Sequence, residues 1–259
     1  MGRVSYSSIE TYWSCPYHYK LRYIDKLKTK PDTSPSCALY EGSAIHEAIE
    51  KRSIVEGMNT YRSNYKEIND EHYFEMYKLE KAMKKGIDQV PEGEYEYKLV
   101  NDTFIGFIDM LVKVEDGVYD LYDFKYSQNV DGYKKSGQVH IYAYYYEYLT
   151  KNKIRNIYYV FIPKCPIKYD ENEDINILKQ KVDEFYNKND VRFEQIEFDR
   201  QHISYFFARQ KMLEKETAFE KRYSFKCNWC EYQNYCKTNG ADKSELEIED
   251  DVKEVDLWN

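Results

Sequence analysis

A change in the spacing of apolar residues at Gly93 limits the folds that this chain can adopt. Before Gly93 the apolar positions recur at helical intervals, whereas after it they alternate with polar positions. Turn signals at Asn101-Asp102 and Asp116-Gly117 divide the alternating region into three runs, 93–100, 104–114 and 118–126. Runs joined by such short turns predict an antiparallel meander of three strands.

The segment after this meander adds a crossover connection. Residues 133–150 have a helical pattern, and the apolar run 156–162, which Pro163 closes, is typical of a buried strand. A strand, a helix and a second strand in this order predict a parallel pair of strands. The predicted fold class is therefore α/β, with a mixed central sheet.

Two further helices are predicted near the ends of the chain. Ser7 and Glu10 have the spacing of a capping box, which predicts a helix that begins there and ends near Cys15-Pro16. Asp199 is expected to cap a longer helix that reaches about Arg222.

The region before the meander is predicted to be helical. Residues 40–55 have apolar positions at helical spacing, and we expect Gly57 to end this helix. The polar and aromatic segment 59–87 keeps a helical character without strand alternation. We therefore interpret 41–90 as a helical insertion ahead of a core that spans 93–165.

Composition and charge set limits on the class of protein. The 259 residues are 42% hydrophobic, and no stretch approaches the roughly 18 apolar residues of a membrane span. Residues 1–9 lack the apolar centre of a signal peptide, so we expect a cytoplasmic protein with reduced thiols and no membrane partner. The net charge of -8 argues against a general basic surface, and the acidic segment 240–259 is predicted to be a disordered tail.

The strongest chemical pattern is a pair of acidic residues and a lysine on neighbouring predicted strands. Asp109 lies in the second run, and Asp123 and Lys125 share one face of the third. Carboxylates on an apolar face need compensation, which a divalent cation such as Mg²⁺ or Mn²⁺ can provide. With a lysine nearby, this set suits phosphodiester hydrolysis. A buried Asp-Lys ion pair that only holds two strands together is the structural alternative.

Further residues follow the same order along the chain. His46 adds an imidazole on the helix that precedes the sheet, and Gln138 and Tyr142 stand one helical turn apart after it. A lone helical histidine or a Gln-Tyr pair is ordinary by itself. The combination of all these residues with the Asp-x-Lys pattern favours a functional site.

In this order of residues the sequence resembles the RecB-like branch of the PD-(D/E)xK nucleases, including CRISPR-associated Cas-four type and stand-alone phage exonucleases. The resemblance implies a restriction-endonuclease-like core in a single domain, 1–239, and a metal-dependent deoxyribonuclease that favours single-stranded DNA ends. It implies that His46, Asp109 and Asp123 bind Mg²⁺ or Mn²⁺ and that Lys125 is catalytic. Gln138 and Tyr142 correspond to the motif that accompanies this active site.

The resemblance also predicts a supporting glutamate on the strand before Asp109. Glu94 and Glu96 both occur there, and alternation does not settle which of them faces the site. We select Glu96 as the support residue and assign it no ligand role. The partners implied by the family are DNA and proteins of replication, recombination or CRISPR adaptation.

Four of the six cysteines form a second pattern. Cys227, Cys230 and Cys236 lie close together near the end of the chain, and Cys15 is the best candidate for a fourth ligand. The three neighbouring cysteines alone would favour zinc, although zinc sites usually contain two Cys-x-x-Cys pairs. The resemblance to the RecB-like nucleases instead implies a 4Fe-4S cluster that holds the two ends of the domain together in a C-terminal knot, 199–239.

Alternative functions remain open at this level. Aromatic and cationic residues alternate over 17–23, which suits a single-strand groove or, equally, a solvated helix face. A non-catalytic DNA-binding or assembly subunit would be expected to lose the lysine or an aspartate, and a redox protein would be expected to carry a flavin or nicotinamide signature. The acidic tail ends in Leu257-Trp258 and could dock a partner protein.

Overall fold

The computed structural model describes residues 2–247 of the chain. The chain divides into two compact units. The first, which we call the sheet unit, is Thr33–Ile203, and the second, which we call the terminal unit, combines the described parts of Met1–Asp32 and Ser204–Asn259. The interval 1–239, predicted as one domain, contains parts of both units.

The sheet unit contains a single five-stranded sheet in its described residues. The strands are β1 (Glu94–Val100), β2 (Ile105–Glu115), β3 (Val118–Tyr126), β4 (Lys153–Ile162) and β5 (Arg192–Ile196). They lie in the order β1-β2-β3-β4-β5, and all neighbours are antiparallel except the parallel pair β3 and β4. The predicted meander, crossover and mixed α/β sheet are confirmed. The apolar alternation does not predict β5, which is a short edge strand with a largely polar sequence.

Ten α-helices are found among the described residues. They are α1 (Tyr6–Ser14), α2 (Pro16–Tyr19), α3 (Ala38–Glu50), α4 (Ile54–Arg62), α5 (Asp70–Gln89), α6 (Val130–Lys134), α7 (Gln138–Thr150), α8 (Ile175–Lys188), α9 (Arg200–Glu214) and α10 (Gln233–Lys237). A π-helical turn, Lys20–Ile24, follows α2, and a 3-10 helix, Phe225–Trp229, precedes α10.

Helices cover both faces of the sheet. Ile45 of α3 and Met83 of α5 belong to one buried cluster with Met110 of β2 and Phe124 of β3. Because neighbouring residues of a strand point to opposite faces, Lys125 lies on the other face, where it contacts α7. Functional side chains from α3 and from α7 can therefore approach the same strands from two sides.

The position of Gly57 corrects one sequence-based prediction. We expected Gly57 to end the second helix, but that helix ends at Glu50, and Gly57 lies inside α4. A Cβ atom at Gly57 would lie 2.6 Å from the Ala44 carbonyl oxygen and 2.6 Å from Ala48 Cβ. The glycine is therefore needed for the close packing of α4 against α3, and it does not act as a helix stop.

The helix ends of the terminal unit also differ in detail from prediction. The helix expected near Ser7 is present as α1, but Ser5 caps it in a capping box with Ser8. The prediction of Ser7 and Glu10 as the box was wrong, because the helix begins two residues earlier. Asp199 caps α9 as predicted, with its carboxylate accepting a hydrogen bond from the Gln201 amide at 2.8 Å, although α9 ends at Glu214 and not near Arg222.

Residues 240–247, which their composition assigns to the acidic tail, are part of the terminal unit. Leu246 is buried and forms a β-bridge with Thr29. A carboxylate oxygen of Glu245 accepts a hydrogen bond from the Asn234 amide at 2.8 Å. These contacts correct the predicted start of the disordered tail. The rest of the predicted tail, with Leu257-Trp258, lies outside the described residues.

A buried ionic network lies in the sheet unit. Lys164 Nζ contacts Glu41 Oε2 at 2.6 Å, and Lys78 Nζ contacts Glu75 Oε1 at 2.7 Å. Burial raises the pKa of Glu75 to about 7, while Lys78 opposes this rise and Glu41 adds to it. The folded state therefore favours the protonated form of Glu75 more strongly than the unfolded chain does.

Candidate functional site

Strands β1 and β2, which carry Glu96 and Asp109, rotate about their own axes halfway along their length, so that their side chains point to different faces of the sheet before and after this point. Tyr95 of β1 meets Phe124 on the α3 side of the sheet, whereas Tyr97 meets Tyr146 of α7 on the opposite side. Residues two apart on a regular strand share a face, so the strand must rotate between them. Glu96 provides this rotation with a left-handed backbone, φ 50°. Such a backbone is strained for a residue with a side chain, and strained positions are often found at functional sites.

The neighbouring strand rotates at the corresponding level. A Cβ atom at Gly106 would meet Tyr142 of α7, whereas Met110, four residues later, belongs to the cluster on the α3 side. Asp109 therefore lies where β2 crosses from one face to the other. Regular alternation along β2, which would place Asp109 on one face with Ile105, therefore does not hold through this point.

Three side chains with metal-binding atoms meet at this point. His46, Glu96 and Asp109 each offer one ligand atom, and these atoms all lie within 4.8 Å of one another. His46 Nδ1 is 3.7 Å from Asp109 Oδ1. We call these three residues the donor group. It includes Glu96, the residue that we selected over Glu94 from the sequence.

A hydrogen bond at Nε2 sets the tautomer of the neutral His46 ring. Nε2 lies 3.1 Å from the carbonyl oxygen of Phe124, which can only accept, so Nε2 carries the hydrogen in the neutral ring. Nδ1 then keeps its lone pair and faces Asp109. Metal-binding histidines are commonly fixed by such a bond from the other ring nitrogen.

The carboxylates of the donor group repel each other. Burial raises the pKa of Asp109 to about 6, and Asp123 adds to this rise while His46 opposes it. Burial and the nearby Asp109 also raise the pKa of Glu96. One oxygen of Asp109 accepts a hydrogen bond from the Phe124 amide at 2.6 Å, which fixes its orientation. A cation at this point would relieve the repulsion between the carboxylates.

Asp123 and Lys125 lie beside the donor group on β3. Asp123 is only 1% exposed, and its carboxylate forms an ion pair with Lys125 Nζ. Neither carboxylate oxygen makes a hydrogen bond of ordinary geometry to a described residue. Asp123 is not part of the donor group that the described residues form. Its buried charge is therefore compensated by Lys125 alone, which leaves coordination capacity on its oxygens.

The ammonium group of Lys125 is held in its charged form. Burial alone would lower its pKa, but Asp123 and Asp109 outweigh burial and raise the pKa to about 12. Lys125 Nζ also lies 3.4 Å from Gln138 Oε1, and Gln138 Nε2 donates to the Tyr142 hydroxyl at 3.2 Å. The predicted Gln-Tyr pair therefore forms a short polar chain that ends at Lys125.

Gly106 allows this chain to approach the sheet. A Cβ atom at Gly106 would lie 2.9 Å from Tyr142 Cε1 and 3.0 Å from Phe104 Cζ. Any side chain at this position would push Tyr142 away from β2. This packing role of Gly106 depends on the position of Tyr142 on α7, which is remote from it in sequence.

The four predicted cysteines are found in the terminal unit. Cys15, Cys227, Cys230 and Cys236 line one cavity of about 90 Å³. Backbone amides of Arg222 and Ser224 lie 3.5 and 3.4 Å from the sulfur atoms of Cys15 and Cys227. Burial, with the neighbouring cysteines, raises the pKa of the Cys230 thiol. No three of the four sulfur atoms lie within 4.8 Å of one another, judged over residues 2–247.

The segment 17–23 does not form the open DNA groove that its composition suggests. Tyr19 is buried and stacks on Phe219. Arg22 forms an ion pair with Glu231 at 3.0 Å, and His18 Nε2 lies 3.0 Å from the same carboxylate, so both side chains already have a partner within the protein. The solvated and partly packed helix, which was the alternative interpretation, agrees with these contacts.

Comparison with known proteins identifies the family. A sequence model of the PD-(D/E)XK nuclease superfamily matches residues 3–237. The chain belongs to this superfamily. No curated protein matches the chain at a significant level. The solved structures that match include one from Eubacterium rectale, provisionally described as an exonuclease, with 12% identity and a TM-score of 0.43. That match covers 87% of this chain and 92% of the other chain.

Membership of the PD-(D/E)XK superfamily confirms the sequence-based prediction at that level. Nucleases of this superfamily use divalent metal ions, and the donor group is a possible site for one. The donor set of one imidazole and two carboxylates suits such an ion. The neighbouring Asp123 also suits it, because its carboxylate oxygens accept no hydrogen bond of ordinary geometry from a described residue. None of the described helices is long and apolar enough to cross a membrane.

Proposed function

We propose that this PD-(D/E)XK nuclease is an Mg²⁺- or Mn²⁺-dependent deoxyribonuclease that removes nucleotides from single-stranded DNA ends. The observation that carries the proposal is the donor group, three ligand atoms within 4.8 Å of one another beside the buried Asp123-Lys125 pair. The preference for single strands and for ends rests on the resemblance to RecB-like and Cas-four type exonucleases.

The proposed metal ligands are His46, Asp109 and Asp123, and the donor group supports adding Glu96 to them. When bound, the ion would lower the pKa of water and neutralise negative charge on the phosphate. The Phe124 amide and carbonyl hold Asp109 and His46 in orientation for this task. The protein thus presents a fixed set of oxygen and nitrogen donors before any ligand arrives.

Lys125 is the proposed catalytic residue. Its ammonium group pairs with Asp123 inside the site, and its proposed contribution is positive charge beside the phosphate. Gln138 and Tyr142 are proposed to hold this group in position through their polar chain.

The proposal is tested with Lys125→Ala and Asp109→Ala, compared with the matched variants Lys113→Ala and Asp116→Ala. Lys113 and Asp116 also form an ion pair, at 2.6 Å, but both are exposed. We expect each site variant to lose cleavage by at least about 100-fold and the matched variants to keep it. Full cleavage by either purified, folded site variant would refute the assignments.

The substrates in this assay separate the parts of the proposal. End-labelled single-stranded and double-stranded DNA, with and without Mn²⁺, measure strand preference and metal dependence. Circular single-stranded DNA has no ends, so it should resist the enzyme if cleavage begins at an end. If the circular strand were cleaved as fast as the linear strand, the protein would be an endonuclease and the proposed exonuclease action would be refuted.

We also propose that the four cysteines bind a 4Fe-4S cluster. A single zinc ion with bonds of about 2.3 Å would draw its sulfur ligands within about 4 Å of one another, whereas a four-iron cluster spaces them more widely. All four cysteines line one cavity, which supports a shared metal group there, and the resemblance to the RecB-like nucleases favours the cluster over zinc. The amide contacts to Cys15 and Cys227 suit sulfur atoms that carry negative charge.

Purification without oxygen tests this second proposal. We expect a brown protein with about four iron and four sulfide per chain, and loss of both in Cys236→Ser but not in Cys37→Ser. Cys37 is a matched control because it is buried in the sheet unit and is not among the residues that line this cavity. One zinc per chain in place of iron would overturn the cluster while leaving the four ligands in place.

A further inference from the structure

Three large aromatic side chains are strongly exposed within seven residues of the terminal unit. Tyr223 is 76% exposed, Phe225 73% and Trp229 78%. We call these three residues the aromatic surface. Single exposed apolar residues are common, but a cluster of large aromatic rings usually marks a place where another molecule binds.

The backbone beneath the aromatic surface is held in place. Phe225–Trp229 is a 3-10 helix, which Ser224 caps in a capping box with Cys227. Gln233 Nε2 donates to the Cys227 carbonyl oxygen at 2.6 Å. The rings of Phe225 and Trp229 meet edge to face, with centroids 6.2 Å apart. Phe225 and Trp229 are therefore carried on an ordered support, and both side chains remain largely exposed.

Basic residues precede and follow the aromatic surface in the sequence. Lys226 and Lys237 form no ion pair with a described acidic residue, whereas Lys221 donates to the Cys236 carbonyl oxygen and Arg222 donates to the Trp13 carbonyl oxygen. Over 221–237 four cations stand against one acid, Glu231, so 4 - 1 gives a net charge of +3, in a chain with a net charge of -8. Glu231 is itself bound by His18 and Arg22. The local charge is therefore opposite to that of the chain.

We propose that the aromatic surface binds single-stranded nucleic acid by stacking its rings on unpaired bases while the surrounding cations contact phosphates. Open aromatic faces combined with unpaired cations are the features that bind single strands without sequence preference. A double helix offers few base faces for stacking, and an acidic peptide supplies charge but no regular series of rings. This inference rests on the proposed function, because a single strand is also the proposed substrate.

The test measures binding apart from cleavage. Fluorescence anisotropy with a labelled oligo-dT strand is recorded in EDTA, with Lys125→Ala as the background protein. We expect Phe225→Leu and Trp229→Leu each to raise Kd by about 5- to 150-fold, the cost of losing one stacked base. Trp229→Phe should restore most of the affinity. Lys226→Ala should weaken the salt dependence of binding by about 0.7 in the slope of log K against log salt.

Controls separate the aromatic surface from other effects. Tyr73→Leu removes a ring that is also exposed, but in the sheet unit, and it should leave Kd unchanged. Circular dichroism and the iron or zinc content establish that Trp229→Leu is folded, because Trp229 stands between two of the cysteines. Oligo-U in place of oligo-dT distinguishes RNA from DNA, and anionic lipid vesicles test whether the same residues bind a membrane surface instead.

The outcomes are distinguishable. Folded Phe225→Leu and Trp229→Leu variants with unchanged Kd would overturn the aromatic surface, whatever the nuclease assay shows. Vesicle binding that depends on these residues, without strand binding, would overturn it in favour of a lipid. A wild-type protein that binds strands through these rings but cleaves no DNA would refute the proposed nuclease and leave the surface intact.

Discussion

Replacing Glu96 by glutamine removes one negative charge from the donor group and preserves the length of the side chain. Taking about 4 Å between Glu96 and a bound ion, one pair of unit charges interacts by about 1 kcal/mol in water and about 4 kcal/mol near a protein surface. A divalent ion doubles these values. Because Glu96 is exposed, the value for water applies. The expected loss of Mn²⁺ binding free energy is about 2 kcal/mol, which raises the Kd for Mn²⁺ about 30-fold.

Isothermal titration calorimetry with Mn²⁺ measures this change directly. Glu94→Gln is the matched control, because it alters the same charge two residues away on the same strand. Glu94 adds to the pKa of Tyr97 and Tyr146, which meet on the α7 side of the sheet, so its charge lies away from the donor group. We expect Glu94→Gln to bind Mn²⁺ as the wild-type protein does.

Two results would refute this reasoning. If Glu96→Gln bound Mn²⁺ normally while Asp109→Asn lost binding, Glu96 would not be a ligand, and its left-handed backbone would serve only to turn the strand. If Glu94→Gln lost as much affinity as Glu96→Gln, the effect would reflect the general charge of β1. The first outcome would remove Glu96 from the proposed metal ligands. The second would remove the evidence that the donor group binds the ion.

Three further predictions concern stability. Gly57→Ala should destabilise the protein by about 1–3 kcal/mol through overpacking, whereas Gly42→Ala, with open space around its Cβ, should stabilise it by about 0.5–1 kcal/mol in urea unfolding. As pH rises from about 4.5 to about 7, folded Glu75 retains a proton that the unfolded chain has released. The free energy of unfolding should therefore fall by on the order of 1–3 kcal/mol over this range. Glu75→Gln should remove this pH dependence, which denaturation at pH 5 and at pH 8 measures. Cys236→Ser should lower the thermal midpoint of protein purified without oxygen, because the proposed cluster would link Cys15 to the later cysteines and remove about 5 kcal/mol of unfolded-chain entropy. An unchanged midpoint would exclude a stabilising cross-link.

The alternating runs made much of the sheet predictable from sequence. Strands β1 to β4 have enough apolar alternation or apolar length to be recognised, and the turns between the first three are short. β5 has neither feature, and its pairing with β4 depends on contacts remote in sequence. The role of Gly57 was predicted wrongly, because glycine can either end a helix or allow two helices to pack closely. Only the neighbouring helix distinguishes these roles.

The candidate site could be predicted as a set of residue types but not as a geometry. The order of His46, Asp109, Asp123 and Lys125 along the chain suggested shared chemistry, and their assigned roles remain proposals. The position of Glu96 could not be derived, because the alternation rule fails where the backbone becomes left-handed. The aromatic surface was also missed, since the mixture of rings and cations at 17–23 resembles that at 221–237 until burial and ion pairing separate them.

The terminal unit combines chain segments that are made at very different times. Cys227 leaves the ribosome 212 residues after Cys15, which belongs to the same unit. At about 5–20 residues per second, roughly 10–40 seconds of synthesis separate the two thiols. During that interval the sheet unit can complete its own folding, while α1 and α2 still lack the segments against which they pack. Insertion of the proposed cluster at these cysteines must therefore follow translation of Cys236, so its assembly would depend on the iron supply at that stage of synthesis.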